Sequence, residues 1–299
     1  MRRRAWRPGT VSLLVTLCVS LTLSGSGVAT GADLTEVETI LGMKGQLQEG
    51  ATIVRFPRSD IKVTIDGEPV PTAFGFGAWT AWKGMGMDAM MMGDLVLLEQ
   101  EINPVISALA EANINITALH NHFLNETPRI MFMHVGGMGD PAVLARGLRN
   151  ALAKTATPKP QPAPPQAVSV PAINTSRIEE IVGHKGDLGG GIFKITVGRA
   201  GVTMAGAGLT SSMGINSWAA FIGTNERAHV AGDVVMKATE VNPVIRAFRR
   251  GGIDIVAVHN HMIDEEPRIF FLHYWGTGPA EKLARTVREA FDQAKGPLR

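Results

Sequence analysis

HNHFLNETPRIMFMH, from His120 to His134, recurs 139 residues later as HNHMIDEEPRIFFLH, from His259 to His273. Nine of the fifteen positions are identical, among them all three histidines, one glutamate and the Pro-Arg-Ile run. The match extends upstream: Gly75–Leu109 aligns without a gap on Gly214–Phe248 at the same offset, with fourteen of thirty-five positions shared. The chain therefore holds two copies of one module, and six of its eight histidines occupy matched positions. A residue kept in both copies has resisted drift while its neighbours changed, under structural or functional constraint.

The organisation follows from that repeat. At 299 residues the chain exceeds the ~100–200 of one domain. The expected boundaries are an export signal peptide over 1–32, a first repeat module over 33–154, a Pro-rich linker over 155–171 and a second repeat module over 172–299. The linker carries six prolines, which favours an extended, semi-rigid spacer. Met1–Arg7 is basic and Val11–Leu23 is apolar, the layout of a secretory signal. That apolar run is shorter than the ~20 residues of a membrane-spanning helix, so the mature protein is expected to be periplasmic or secreted, with no transmembrane span. Cys18 is the only cysteine and lies inside the signal, which removes disulfides and thiolate ligands from the mature chain. A net charge of +2 without a basic stripe gives no expectation of a nucleic-acid partner. The partner expected instead is a small molecule or an envelope component.

Each copy has the same grammar. A short helix (Leu34–Leu41; Ser176–Val182) ends at a glycine. Extended segments follow at Ala51–Phe56, Ile61–Ile65, Ala73–Trp82 and Leu95–Glu99, with counterparts in the second copy. Asn103-Pro104 and Asn242-Pro243 read as helix starts, with Asn capping and Pro in the first turn. Strands at Ile114–His122 and Arg129–Val135 and a closing helix at Pro141–Ala153 complete the first copy. The fold class expected is α+β, two tandem modules of mainly antiparallel sheet with two or three helices each, packed face to face.

The histidines carry the chemical signal. Side chains alternate along a strand, so His120 and His122 share a face, with His134 arriving from the next strand. If the turn centres on Glu126-Thr127-Pro128, His134 stands opposite His120; if the pair zips with His122 opposite Arg129, His134 stands opposite Thr117. Three histidines and an open position suit catalytic zinc, and imidazole also takes iron, nickel or copper. His120, His122 and His134 are thus expected to bind one divalent transition metal, zinc foremost, with His259, His261 and His273 forming a twin site. Glu126 and Glu265 are candidate acid/base groups, and Arg129 and Arg268 candidates for orienting an anionic substrate. The competing reading of each is a Glu–Arg pair closing a turn. Asp94 and Asp233, each after a glycine, read as turns into strands. Glu101 and Glu240 read as favourable charges at a helix start. The run Met85, Met87, Met90, Met91, Met92 could ligate Cu(I), but the second copy lacks it, so adaptable filler is expected. Trp79 and Trp218 are matched and suit a core or pocket wall.

The strings Thr117–His122, Met92-Gly93-Asp94, Glu101–Val105 and Pro128-Arg129-Ile130 resemble the LppY/LpqO-type family of bacterial secreted and lipoprotein domains. That family is best known as a domain of unknown function, so the resemblance implies export and a shared fold but no reaction. Its lipoprotein members carry an acylated cysteine, whereas Leu17 precedes Cys18 here. The His-x-His pair with a third histidine is also similar to α-acetolactate decarboxylase and the plant–prokaryote conserved domain, where the third histidine follows about eleven residues on and the set binds zinc in the decarboxylase. Here the gap from His122 to His134 is twelve and no wider motif matches, so only the metal geometry compares. Two functions follow as expectations. One is an exported metal-dependent enzyme acting on a small anionic substrate. The alternative is a non-catalytic envelope module with Trp79, Trp218 and the Met85–Met92 segment lining an apolar cleft.

Overall fold

The computed structural model describes residues 34–85, 87–157 and 172–298. The expected signal peptide and most of the Pro-rich linker lie outside them. The first module comprises α1 (Thr35–Leu41), β1 (Gly45–Gln48), β2 (Ala51–Pro57), β3 (Val63–Ile65), β4 (Glu68–Val70), β5 (Gly77–Met85), β6 (Asp88–Leu98), α2 (Ile102–Glu111), β7 (Asn115–His120), β8 (Glu126–Thr127), β9 (Ile130–Gly139) and α3 (Pro141–Leu152). The second repeats it: α4 (Thr175–Val182), β10 (Gly186–Gly189), β11 (Ile192–Gly198), β12 (Thr203–Met204), β13 (Ala207–Gly208), β14 (Asn216–Gly223), β15 (Ala228–Lys237), α5 (Val241–Gly251), β16 (Asp254–His259), β17 (Glu265–Glu266), β18 (Ile269–Gly278) and α6 (Ala280–Asp292). Each module is a six-stranded sheet in the order β1-β2-β5-β6-β9-β7, or β10-β11-β14-β15-β18-β16, with a small three-stranded sheet beside it. All pairings within these sheets are antiparallel.

Local chemistry sets the ends of these elements. In α3, Asp140 accepts hydrogen bonds from the N–H groups of Ala142 and Val143 at 2.8 and 2.9 Å, and Pro141 takes the first turn. The β1–β2 hairpin turns through Glu49 and Gly50, both at positive φ; the Gly190-Gly191 pair does the same between β10 and β11. The glycine-rich stretch at 189–191 is therefore hairpin chemistry.

The period-two rule then sorts each strand into two faces. On one face of the first sheet, Met91, Leu95, Leu97, Met133 and Val135 join a core with Val37, Val105, Leu109, Leu144 and Leu148 from its helices. On the other face, Ile53, Ala81, Met90 and Met92 pack against Val202, Leu209, Met213, Val235 and Phe271 of the second module. Helices thus cover the outer faces, and the inner faces meet each other. Polar bonds cross the same boundary. The Thr117 hydroxyl donates to the carbonyl of His261 at 2.6 Å, Lys83 Nζ donates to the carbonyl of Gly208 at 2.6 Å, and Glu68 engages both Arg227 and His229.

Two sequence expectations need correction here. The strand expected only from Leu95 begins at Asp88, so Met90, Met91 and Met92 are strand interior, with Met90 and Met91 fully buried. Helix α2 begins at Ile102, with Glu101 at the cap position and no side-chain cap, so Asn103 is inside the helix and caps nothing. Glu101 does other work. Its carboxylate accepts two bonds from the fully buried Arg58, at 2.7 and 3.1 Å, and the Leu98 N–H at 2.9 Å. Glu240 repeats this with Arg199, at 2.8 and 3.2 Å. Arg58 and Arg199 are counterparts at an offset of 141, the spacing that also relates Gly45 to Gly186 and Gly50 to Gly191, so the first copy has two residues more between this segment and Gly75 than the second has before Gly214.

Candidate metal centre between the modules

The six matched histidines converge on one place. His120 ends β7 and His259 ends β16, with His122 and His261 just beyond them. His134 lies within β9 and His273 within β18, each beside the central strand β6 or β15. The rings of His120 and His259 stack with centroids 3.7 Å apart. His122 lies 3.8 Å from His273, and His134 lies 3.9 Å from His261. These three contacts map onto each other under exchange of the copies, so a pseudo-twofold axis passes between His120 and His259. The expectation of one site and a separate twin is corrected: the structure brings all six rings into a single cluster that both modules build.

The register explains how His134 gets there. It stands opposite Ala118 on β7, while His120 stands opposite Phe132, which is neither of the two pairings expected. A bulge between Ile116 and Ala118, repeated between Ile255 and Ala257, inserts the extra residue. The unpaired Thr117 is the residue that bonds across to His261.

Asp94 and Asp233 belong to this cluster, and the reading of them as turn residues is corrected. Each lies mid-strand opposite the third histidine of its own module, Asp94↔His134 and Asp233↔His273. Asp94 Oδ2 is 3.6 Å from His122 Nε2, and Asp233 Oδ2 is 3.3 Å from His261 Nε2. The preceding glycines have a physical reason. A Cβ at Gly93 would stand 2.4 Å from the Trp79 carbonyl oxygen, and one at Gly232 would stand 2.1 Å from that of Trp218. Their own carbonyls face His134 Nδ1 at 3.3 Å and His273 Nδ1 at 3.1 Å. With the proton on Nδ1 donated to the carbonyl, each Nε2 keeps its lone pair directed into the cluster. The signal in the sequence was available: Met90, Met92 and Asp94 share one face once the methionine run is read as strand.

Electrostatics favours neutral rings. Burial pushes His120, His122, His134 and His261 far below the ordinary imidazole range, and mutual repulsion adds to it. Burial also lowers His259 and His273, each to about 4. Burial raises Asp94 well above the carboxylate range, with Asp233 adding repulsion, and raises Asp233 to about 6. Nine ring nitrogens of the six histidines, together with Asp94 Oδ1, are buried without a hydrogen-bond partner. Each such group costs about 1–3 kcal/mol, a large sum for one small volume. Neutral imidazoles and carboxylates are also the donor set of a transition metal, whose bonds would satisfy those atoms. Three combinations bring ligand atoms within 4.8 Å of one another: His120 with His122 and His273, His120 with His134 and His259, and Asp233 with His259 and His261.

Glu126, Arg129, Glu265 and Arg268 sit at the turn before β9 and β18. Glu126 Oε1 accepts the Ile130 N–H at 3.4 Å and lies 3.6 Å from Arg129 Nε. Glu265 repeats this with Ile269 at 3.2 Å and Arg268 at 3.5 Å. The two carboxylates are buried and the two arginines exposed. None of the four lines the cavity described next or joins a metal-ligand set among the described residues.

A cavity of about 800 Å³ opens onto the cluster between the two sheets. His122, His134, His261, His273, Asp94 and Asp233 line its inner part, and Trp79 and Trp218 its walls. Met87, Met90, Met91 and Met92 are not among its lining residues. Met90, Met91 and Met92 are buried, and Met87 is exposed.

A family model described as Domain of Unknown Function (DUF1259) matches residues 35–154 and again 176–293. No curated protein matches the chain. Among solved structures, a trimeric bacterial microcompartment shell protein, PduB, is 13% identical; the match covers 84% of this chain and 90% of that one, with a TM-score of 0.23. EtuB from Clostridium kluyveri is 10% identical, with 83% and 88% covered and a TM-score of 0.19. Scores that low carry no argument about fold or function.

Proposed function

Since the chain belongs to the family described as Domain of Unknown Function (DUF1259), in two tandem copies, we propose its function from the site: an exported protein that binds divalent transition metal, zinc foremost, in one centre shared by both modules. The single observation that carries this reading is the concentration of six imidazoles, five buried and His259 partly so, with nine unpartnered ring nitrogens around a pseudo-twofold axis. Two of the ligand sets share no residue, His120/His122/His273 and Asp233/His259/His261, which supports two ion positions. In each, the His-x-His pair of one module meets a group near the axis, and in the first the third histidine comes from the other module. A metal there would act as a Lewis acid or lower the pKa of bound water. The adjoining cavity gives a substrate access, as catalytic sites require and closed structural sites do not. Within the family, the Gly-Asp, Asn-Pro and His-Asn-His strings support an LppY/LpqO-type member, and Met1–Leu23 supports export to the periplasm or beyond. The geometry of Glu126/Arg129 and Glu265/Arg268 favours turn closure over acid/base work.

The test is elemental analysis of purified, tag-free mature protein, expected to carry about two equivalents of metal per chain on the two-position reading. His120→Ala with His259→Ala should lose it. Metal-free protein whose stability is unmoved by added zinc overturns the reading.

A further inference from the structure

The mouth of the cavity carries a pair of cations. Arg55 on β2 and Lys194 on β11 both line the cavity. They are not counterparts, since Arg55 corresponds to Thr196 and Lys194 to Ile53 by strand register, so each module supplies its cation from a different position. Arg55 stands opposite Trp79 across the β2–β5 pair. Lys194 Nζ lies 4.3 Å from the centre of the Trp218 ring. Arg55 gives one Nη1 donor to Gln46 at 3.1 Å, out of the five a guanidinium carries. Lys194 is exposed, yet desolvation pushes its ammonium down to about 8; Asp233 acts against this and Arg55 with it, which places both cations within electrostatic reach of the buried carboxylate. Trp79 reaches across the axis, since a Cβ at Gly214 would stand 3.2 Å from its ring. Two acids, Glu49 and Asp187, also lie at the mouth. Glu49 accepts the Ser212 N–H at 2.7 Å, and Asp187 stands opposite Lys194 across the β10–β11 pair.

The layout has three zones: metal-ligating groups inside, indole walls midway and a pair of cations outside. A bare inorganic anion would use only one of them. We infer that the cavity takes a small organic dianion of dicarboxylate type, one oxyanion group turned toward the metal centre, its body against Trp79 and Trp218, and the other group held by Arg55 and Lys194. The two mouth acids discriminate against anions that cannot reach both cations. The cavity volume falls in the range of small-molecule sites, ~300–1,000 Å³. This inference rests on the shared metal centre for its inner contact, whereas its outer contact depends on the cations alone.

The test is a titration of full-length mature protein, as isolated and after chelation, with phthalate, succinate and inorganic phosphate, read by tryptophan fluorescence. Metal content is measured on the same samples. Phthalate should bind most tightly and phosphate least, with affinity falling as ionic strength rises. Arg55→Gln and Lys194→Gln should each weaken phthalate about tenfold, or ~1.4 kcal/mol, with metal content and melting temperature unchanged. Chelation should weaken phthalate further while leaving the effect of Arg55→Gln in place. Absence of saturable phthalate binding, phthalate affinity unchanged from the parent protein in both cation variants, or phosphate binding as tightly as phthalate overturns the inference. Protein that is metal-free as isolated, takes up no added zinc and still shows the Arg55 and Lys194 effects overturns the metal centre and leaves the cation contact standing.

Discussion

Removing His134 discriminates between sites built within modules and sites built across them. If each module held its own ion, His134→Ala would damage the His120/His122 site. The observed contacts say otherwise: the His134 ring lies 3.9 Å from that of His261, while His122 lies 3.8 Å from His273. His134 is therefore expected to support the ion next to His259, His261 and Asp233. Structural zinc with four ligands binds with roughly 10–16 kcal/mol, or about 3 kcal/mol per ligand, so one lost histidine should weaken its ion about 100- to 1,000-fold. The assay is competition against a chromophoric chelator at neutral pH, counting ions held by single and double variants. His134→Ala should hold one ion tightly. His134→Ala with His261→Ala should still hold one, since both changes fall on the same position. His134→Ala with His122→Ala should hold none. The reverse pattern, with the 134/261 pair losing both ions and the 134/122 pair losing one, refutes the cross-module arrangement.

Other expectations concern the scaffold. Glu240→Gln should cost more stability than Glu101→Gln in urea unfolding at constant m. Arg58 retains Asp60 at 2.9 Å, whereas the other recorded partners of Arg199 are carbonyls of Val235, Lys295 and Gly296; about 3–5 kcal/mol is expected for Glu240→Gln, the usual cost of orphaning a buried charge, and equal losses would sink the distinction. Burial works to raise the Glu240 carboxyl, but its bonds to Arg199 and the Lys237 N–H leave it below the ordinary range. With its folded pKa depressed, its stabilisation is present above the unfolded value near 4.5 and fades as pH falls through the folded value; Glu240→Gln should flatten that limb of an acid-unfolding curve, and an unchanged limb would refute it. Gly93→Ala should destabilise by about 1–3 kcal/mol, the cost of overpacking against the Trp79 carbonyl, and a neutral melting curve would contradict the close approach.

Much of this was legible in the chain because duplication marked it. The paired histidines, the module grammar and the antiparallel strands around them were readable from identity and periodicity. What escaped depends on contacts far apart in sequence. A bulge at Thr117 shifts the register by one residue, and no local pattern announces it. Asp94 looks like a turn residue after Gly93 until the methionine run is seen to be buried strand. The Arg58–Glu101 brace links positions forty-three apart. Above all, the merging of two triads into one cluster is a property of packing between modules, which a repeat alone leaves open.

The axis between His120 and His259 has a consequence for descent. A module that lends its third histidine to its neighbour cannot complete a centre alone, but two identical modules can. The arrangement is that of a symmetric homodimer whose halves have been joined end to end. Once joined, the halves meet at the effective concentration set by their tether instead of by cellular abundance. Identity between them is then no longer required, only complementarity. Thr196 where the first copy has Arg55, Ile53 where the second has Lys194, and methionines on one side where the other carries histidine, valine and alanine, are what such freedom leaves behind.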